Sequence, residues 1–551
     1  MKLDELIEYL DYKDLINFKN IDITGISYNS KTTKKGDIFI CLIGEHTDGH
    51  EFAKMAIDNG AAALLVERKV EGTKIPQVVV SSTRHKIANI ADRFYSSPSK
   101  GINLIGITGT NGKTTVTHLI QKIFEENEQK CALIGTLGYK LSSNGEYRDA
   151  KHTTPQAPEL QATLRMIKDV EKIDNVVMEV SSHALEQNRV GGCRFNGAVL
   201  TNLTQDHLDY HITMDNYFDA KALLFRSLSP LTLGEGRILN EPASCKNSGE
   251  GVTHADLPIN VGDNFINSSE GSFAVINADD AYAERFLNVV PEGVRKFTYG
   301  VKTESNVMAK DINFSLNGAE FTLVINKNCH SEPLGEESHE IFRSAQDDNY
   351  KVNLHMNGMF SVYNVLAAVT AALAMGIDIE VSLKALQNVK GVAGRFEAVV
   401  KKPLVIVDYA HTPDGLENVL KSAREITPAD GKLICLFGCG GDRDATKRPK
   451  MGAIAEKLAD KIVITSDNPR SEDPQVIITD IIAGLKSVNT ENVIVEPDRG
   501  TAIGLLKTIA NNNDVVIIAG KGHEDYQILK DKTIHFDDRE EARKVFEGSV
   551  I

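Results

Sequence analysis

Lys113 follows Gly112 and precedes Thr114 and Thr115 in the stretch GITGTNGKTT, residues 106–115. Backbone N–H groups at a glycine-rich turn can surround a phosphate, and the N-terminus of a following helix favours its negative charge. Lys113 adds a cation, and Thr114 offers a hydroxyl to a magnesium ion. The strict phosphate-loop spacing asks for glycine where this chain has Ile107, so a plain glycine-rich turn is the competing reading. Glu179 lies near the end of the apolar run NVVMEV at 175–180, where a carboxylate is costly. Beside the phosphate loop it can coordinate the magnesium of a bound nucleotide; a structural ion pair is its other use. Acidic and imidazole groups crowd residues 204–211, TQDHLDYH, and Lys221 sits in the otherwise apolar YFDAKALLF at 217–225. By composition Lys221 is most simply a snorkelling lysine.

These groups need elements to hold them. The apolar run 104–107 predicts a buried parallel strand, and Val116, Leu119, Ile120 and Ile123 predict the helix after the loop. From 394 onward the pattern is regular α/β. Apolar strands at 404–407, 433–437, 461–465 and 515–519 each end in a polar or glycine loop. In a doubly wound sheet those loops share one edge, bringing together Asp408, His411, Arg443, Asp467, Arg470 and Glu524. No GxGxxG follows a strand there, so the topology is Rossmann-like without a dinucleotide signature. Near the N-terminus strands are expected at 37–43 and 62–66 around a helix at 52–59. Tyr28, Ser30 and the loop 44–50 lie beside strand ends, where ordinary turn chemistry explains them as well as ligand binding does.

A chain of 551 residues suggests about three domains. We expect an α/β protein divided at 1–98, 99–393 and 394–551: an N-terminal α/β unit, a central phosphate-loop unit with a mostly parallel sheet, and the Rossmann-like unit. The small, polar segment 95–101 is the first linker. Residues 232–271 and 327–349 break the pattern and read as surface insertions, the second within a hairpin of 320–325 with 351–354. Lys and Arg total 61 against 76 Asp and Glu, a net charge of −15, which excludes a general nucleic-acid binder. No apolar run approaches the roughly 20 residues needed to span a bilayer. The acidic, amphipathic start is no secretory signal. The seven cysteines form no metal-type spacing and are expected reduced, in a cytoplasmic protein.

Taken together, eleven motifs resemble those of the Mur ligases of bacterial cell-wall synthesis. They are GITGTNGKTT (106–115), HTTP (152–155), EVSSHALEQNRV (179–190), TNLTQDHLDYH (201–211), AKALLF (220–225), NGMFSVYN (357–364), GRFE (394–397), DYAHTPDGLE (408–417), GCGGDRD (438–444), DNPR (467–470) and GKGHE (520–524). They run in the family's order and span all but the insertions, and the loop's glycine offset fits the family's TGTNGKT form. The resemblance implies an ADP-forming ligase of peptidoglycan synthesis, and so of cell shape and division. Such an enzyme phosphorylates a carboxylate with ATP and couples the acyl phosphate to an amine.

The resemblance also distributes roles. Gly109, Thr110, Asn111, Gly112, Lys113, Thr114 and Thr115 would hold ATP, with Asn364, Arg395 and Asp408 at the adenine, ribose and nearby phosphates. Catalysis would rest on Lys113, Glu179, His207 and Lys221. Magnesium would meet Thr114, Glu179, His207 and Lys221, the last as N6-carboxylysine formed with CO2. The UDP-linked substrate would meet Tyr28, Ser30, Glu45, His46, Thr47, Thr153, Thr154, Ser181, Gln187 and Arg189. The family often has Asp-Ser-Arg where this chain has Asn29-Ser30-Lys31, and lysine lacks arginine's planar fork.

DNPR points to the diaminopimelate-adding branch. Meso-2,6-diaminopimelate carries a second carboxylate that L-lysine lacks, and Arg470 can grip it bidentately. Arg443, Asp467, Asn468, Pro469, Gly520 and Glu524 complete that subsite. The expected reaction adds meso-diaminopimelate to the D-glutamate carboxylate of UDP-N-acetylmuramoyl-L-alanyl-D-glutamate. The expected partners are these small molecules and Mg2+-ATP, with no nucleic acid or membrane, and the expected state is a monomer. A lysine-adding or folylpolyglutamate-type ligase is the enzymatic alternative, and a nucleotide-binding protein without catalysis the other.

Overall fold

The protein is described from a computed structural model covering residues 1–44, 47–148, 152–229, 271–315, 318–326, 349–389, 391–486 and 491–547, except the side chain of Asp209. Residues 232–270 and 327–348 of the expected insertions lie outside the described residues. The architecture is mixed α/β, built on mostly parallel sheets.

The largest sheet is organised around Asn103–Thr108, the strand that feeds the phosphate loop. It lies between Asn175–Glu179 and Gly197–Leu200, parallel to both, with Ile107 opposite Glu179 and Thr108 opposite Leu200. Cys131–Gly135 and Gly138–Lys140 extend the sheet beyond Asn175–Glu179. Phe273–Asn277, Arg295–Gly300, Val307–Ser315, Gly318–Ile325 and Asn349–Leu354 extend it the other way. The last two form the expected antiparallel hairpin. Alternate residues of the central strands enter two separate apolar cores: Ile105, Leu133 and Val177 one, Leu104, Ala132 and Val176 the other. A parallel sheet covered on both faces needs this near-continuous apolar sequence. Helix Lys113–Glu126 buries Val116, Leu119, Ile120 and Ile123, and helix Met359–Ala374 packs beside it.

Five strands near the N-terminus form a second sheet, ordered Asp14–Ile16, Gln77–Val79, Ala63–Val66, Asp37–Ile40 and Gly25–Ser27. The strand expected over 37–43 stops at Ile40, where Leu42 N–H turns back to the Ile40 carbonyl at 2.9 Å. The helix expected from 52 starts earlier as a tight 3-10 turn, Gly49–Phe52, whose first amides are capped by Asp48. In the expected linker, Pro98–Gly101 form another such turn.

The third sheet runs Glu397–Lys401, Leu404–Asp408, Val515–Ala519, Leu433–Phe437, Lys461–Ile464 and Val493–Val495, with only the first strand antiparallel. The four apolar runs are adjacent parallel strands, so their C-terminal loops emerge on one edge. Beneath that edge Arg499 and Asp538 make a fully buried fork, Nε–Oδ1 2.8 Å and Nη2–Oδ2 2.7 Å. Arg499 also donates to the carbonyls of Ser466 (3.2 Å) and Ala519 (2.9 Å), joining two strand ends. Among the described residues, no helix is long and apolar enough to cross a membrane. Cys41, Cys131, Cys193, Cys435 and Cys439 are buried and free.

Replacing Arg499 with Met strands the Asp538 carboxylate without a counter-charge. Denaturant unfolding of Arg499→Met should show a loss of about 3–5 kcal/mol; a loss below about 1 kcal/mol would contradict the role of this pair.

Candidate active site

The phosphate loop is shaped by two glycines and pinned by its neighbour strand. Gly109 has φ +141° and Gly112 φ +89°. A Cβ on Gly109 would sit 1.9 Å from Thr201 Oγ1, and one on Gly112 would sit 2.4 Å from Asn364 Oδ1. The Thr201 hydroxyl donates to the Asn111 carbonyl at 2.6 Å, and Asn111 N–H donates to Asn202 Oδ1 at 2.9 Å. Thr110 Oγ1 donates to the Thr204 carbonyl at 3.1 Å and lies 3.2 Å from the Tyr217 hydroxyl. Thr115 is buried in the first turn of the helix.

Two lysines converge on this loop. Lys113 Nζ donates to the carbonyls of Gly109 (2.8 Å) and Thr110 (2.9 Å). Lys221, only 1% exposed within helix Met214–Arg226, donates from Nζ to the same Gly109 carbonyl at 2.8 Å. It does not snorkel: the helix faces the sheet, and its ammonium lies 4.6 Å from the Tyr217 ring centroid. Burial, reinforced by the Lys113 charge, drives the Lys221 pKa far below that of an ordinary lysine. Burial also lowers Lys113.

Glu179 faces the same space. Its Oε2 accepts from the hydroxyls of Thr114 and Thr136, each at 3.0 Å, and its Oε1 from Thr136 N–H at 3.0 Å. These donors are neutral, so no cationic side chain competes for this buried carboxyl group in the hydrogen bonds described. Among the described residues no three His, Cys, Asp or Glu side chains gather as a metal cluster. Glu179 and the Thr114 hydroxyl therefore suit a magnesium ion that arrives with nucleotide phosphates and fills its shell from them. His207, held at φ +53°, has Nε2 3.2 Å from Asp206 Oδ2. Partial burial lowers its pKa against the pull of Asp206.

The residues expected to meet the peptide cluster beside Glu179. Thr154 Oγ1 donates to the Glu179 carbonyl (2.8 Å) and accepts from Ser181 N–H (3.1 Å); Thr153 Oγ1 lies 3.2 Å from Thr136 Oγ1. Arg189 donates to the Thr154 carbonyl at 3.0 Å and to Gln187 Oε1 at 2.8 Å. The N-terminal residues are less uniform. Tyr28 reaches across to Glu159 Oε1 at 2.6 Å. Ser30 is buried and donates to Met55 Sδ at 3.3 Å, and the Thr47 carbonyl closes its own loop on Gly44 N–H at 2.8 Å. Glu45 and His46 lie outside the described residues.

The C-terminal sheet brings its loops to the phosphate loop. Arg395 Nη2 donates to Thr114 Oγ1 at 3.3 Å, and its guanidinium stands 4.5 Å from the Tyr409 ring centroid. Asp408 accepts from Phe396 N–H and Ala410 N–H, both at 2.7 Å, and burial raises its pKa to about 6 against the pull of Arg395. Sequence reasoning left Asp414 without a role. Its Oδ2 accepts from Asn111 Nδ2 (2.8 Å) and Thr204 Oγ1 (3.0 Å), linking the two sheets through the loop itself.

On the same edge, Asp467, Asn468, Glu524 and Arg470 gather. Asn468 Nδ2 donates to Glu524 Oε2 at 2.9 Å, and Gln527 Nε2 to the Asp467 carbonyl at 2.7 Å. Arg470, at φ +52°, donates to the Gly441 carbonyl at 2.9 Å; the Pro469 carbonyl crowds Gly441, where a Cβ would approach it to 2.0 Å. Gly520, at φ +119°, leaves room beside Asp467, and Arg443 donates to the Asp442 carbonyl at 2.8 Å on the exposed rim. Lys521, inside the GKGHE motif, also belongs to this cluster; the motif was its only signal in the sequence.

A site with a phosphate loop, a magnesium-type carboxylate and a basic and acidic loop edge can activate a carboxylate and present an amine to it. Comparison with known proteins agrees with that chemistry. The Mur ligase middle domain model matches residues 107–238 and 264–372, the model of the Mur ligase, glutamate ligase domain 394–522, and that of the Mur ligase family, catalytic domain 22–95. UDP-N-acetylmuramoyl-L-alanyl-D-glutamate–2,6-diaminopimelate ligase of Syntrophomonas wolfei is 42% identical, covering 100% of both chains. The enzyme of the same name from Bacillus cereus is 40% identical, covering 100% of this chain and 99% of its own. A solved structure of a ligase with that name superposes with TM-score 0.63 at 30% identity, covering 99% of each chain. The chain belongs to the Mur ligase family.

Proposed function

We propose that the protein adds meso-2,6-diaminopimelate to the D-glutamate carboxylate of UDP-N-acetylmuramoyl-L-alanyl-D-glutamate, converting ATP to ADP and phosphate. The observation that carries this reading is the cluster of Asp467, Asn468, Glu524 and Arg470 on one sheet edge, in a chain matched end to end by ligases of that name. An amino acid with a charged far end needs such paired acceptors and a guanidinium fork.

In this reading residues 1–98 take the UDP-linked substrate, 99–393 the ATP and 394–551 the amino acid. The phosphate-loop amides and Lys113 hold the β- and γ-phosphates, and Asp408 and Asn364 orient the ribose and adenine. Thr153, Thr154, Ser181 and Arg189 set the D-glutamate carboxylate in line with the γ-phosphorus. A carboxylate oxygen attacks, the bond to the ADP oxygen breaks, and an acyl phosphate forms. The neutral amine of diaminopimelate then attacks the acyl carbon, and the tetrahedral intermediate expels phosphate to leave the amide. Two anions must approach each other, so positive charge matters most. Thr114, Glu179, His207 and a carbamylated Lys221 would hold magnesium, which would neutralise phosphate charge when bound.

Lys221 supports its own modification. A buried, neutral amine is the form that attacks CO2: the N–C bond forms, a proton leaves, and a carbamate remains. The product would set a negative charge beside Lys113, at a position where burial and Lys113 disfavour an ammonium. A nucleotide-linked precursor and ATP as substrates support a cytoplasmic location for this reading.

Three outcomes test the proposal. Phosphate release should require both the UDP-dipeptide and meso-diaminopimelate; a clear preference for L-lysine refutes the assignment. Lys221→Ala should lose at least about a hundredfold in turnover, with partial rescue by a short-chain carboxylic acid; full activity would rule the role out. Asp408 is ionised above about pH 6, so equilibrium ATP binding should weaken as pH falls below that value. The slope should be near tenfold per pH unit and vanish in Asp408→Asn; a flat wild-type profile from pH 5 to 7 would contradict it.

A further inference from the structure

Lys521 has a fully buried side chain and is held by three polar groups rather than one counter-ion. Its Nζ lies 3.2 Å from Asn468 Oδ1, 3.3 Å from Glu524 Oε2 and 3.5 Å from Asp467 Oδ1, with the Tyr526 ring centroid at 5.6 Å. Ile528 N–H also donates to Asn468 Oδ1, at 2.9 Å. Two donors on that oxygen fix the amide, so its NH2 must face Glu524 Oε2, 2.9 Å away. Asp467 Oδ1 is buried and accepts no hydrogen bond within the protein. The cluster sets two carboxyl groups against one amine, and Asp467 Oδ1 is the acceptor left without a hydrogen bond.

We infer that Lys521 is a positioning residue of the amino-acid subsite: it holds Asp467, Asn468 and Glu524 as a preformed acceptor set for one ammonium group of the incoming amino acid. The inference rests on the amino-acid role proposed above for this edge. The ammonium would meet the Glu524 and Asp467 carboxyl groups, and in its absence Lys521 supplies the counter-charge that holds the two side by side. The other titratable and charged groups facing Glu524 are Tyr409, Tyr526 and the Arg499–Asp538 pair, the last already self-neutralised. Burial and then Asp467 raise the Glu524 pKa, while Lys521 lowers it. Without Lys521 that raised carboxyl protonates first as pH falls.

The test measures KM for the amino acid from pH 7 to 9 in wild type, Lys521→Met and Lys521→Arg. The KM of Lys521→Met should exceed that of wild type at least about tenfold, and the ratio should grow as pH falls, because the Glu524 carboxyl has lost the lysine that lowers its pKa. KM for ATP and for the UDP-dipeptide should stay within about twofold. Lys521→Arg keeps the charge and should restore the wild-type pH profile. If Lys521→Met does not fold, Lys521→Gln is read the same way. A KM ratio independent of pH, or activity loss that follows only the fraction of folded protein, overturns the inference. Wild type is first assayed with meso-diaminopimelate and L-lysine. Should another amino acid be preferred, the proposed substrate fails while the Lys521 comparison proceeds with the preferred one.

Discussion

Two buried lysine amino groups share one backbone carbonyl. Lys113 and Lys221 both donate to Gly109 O at 2.8 Å, one from the helix after the loop and one from a helix more than a hundred residues on. Like charges this close and this buried repel, and burial drives both pKa values down. The arrangement is held by everything around it. The strand order sets Glu179 and Thr201 on either side of the loop, and the glycines let the carbonyl point inward. Anions relieve it, and phosphates and a carbamate are the anions the proposed chemistry brings.

The remaining geometry follows from parallel sheets. Functional side chains stand on loops at strand ends, above cores that fix them. Glu179 is placed by a register with Ile107, and Asp408 by one with Ala519. Beneath the amino-acid edge, the buried Arg499–Asp538 fork ties the carbonyls of Ser466 and Ala519. That fork ties two of the charged loops to the strand ends from which they leave.

Much of this was legible in the sequence. The apolar strands, the helix after the phosphate loop and the hairpin at 320–325 with 351–354 all appear, because period and propensity are local. Boundaries were less legible: the strand from Asp37 ends at Ile40, where a turn no local pattern announces takes the chain away. Lys221 misled on composition alone, since a lysine among apolar residues reads as a snorkel until its helix is seen to face inward. Asp414, Thr136 and Lys521 were silent as site residues. Their roles depend on contacts between distant segments, which spacing along the chain does not encode.

The hydrogen bonds from Asn111 and Thr204 to Asp414 carry a consequence for dissecting this molecule. The stretch before Gly394 contains the whole phosphate loop, its lysines and Glu179, and by motif alone it is a self-sufficient nucleotide binder. Yet the Asn111 amide and the Thr204 hydroxyl meet a carboxylate from beyond that point, and Arg395 bonds Thr114 from the same side. A fragment ending at 393 would keep the loop and lose the far wall that orients it. The proposed nucleotide seat is a composite, its walls joined by hydrogen bonds between residues some three hundred positions apart.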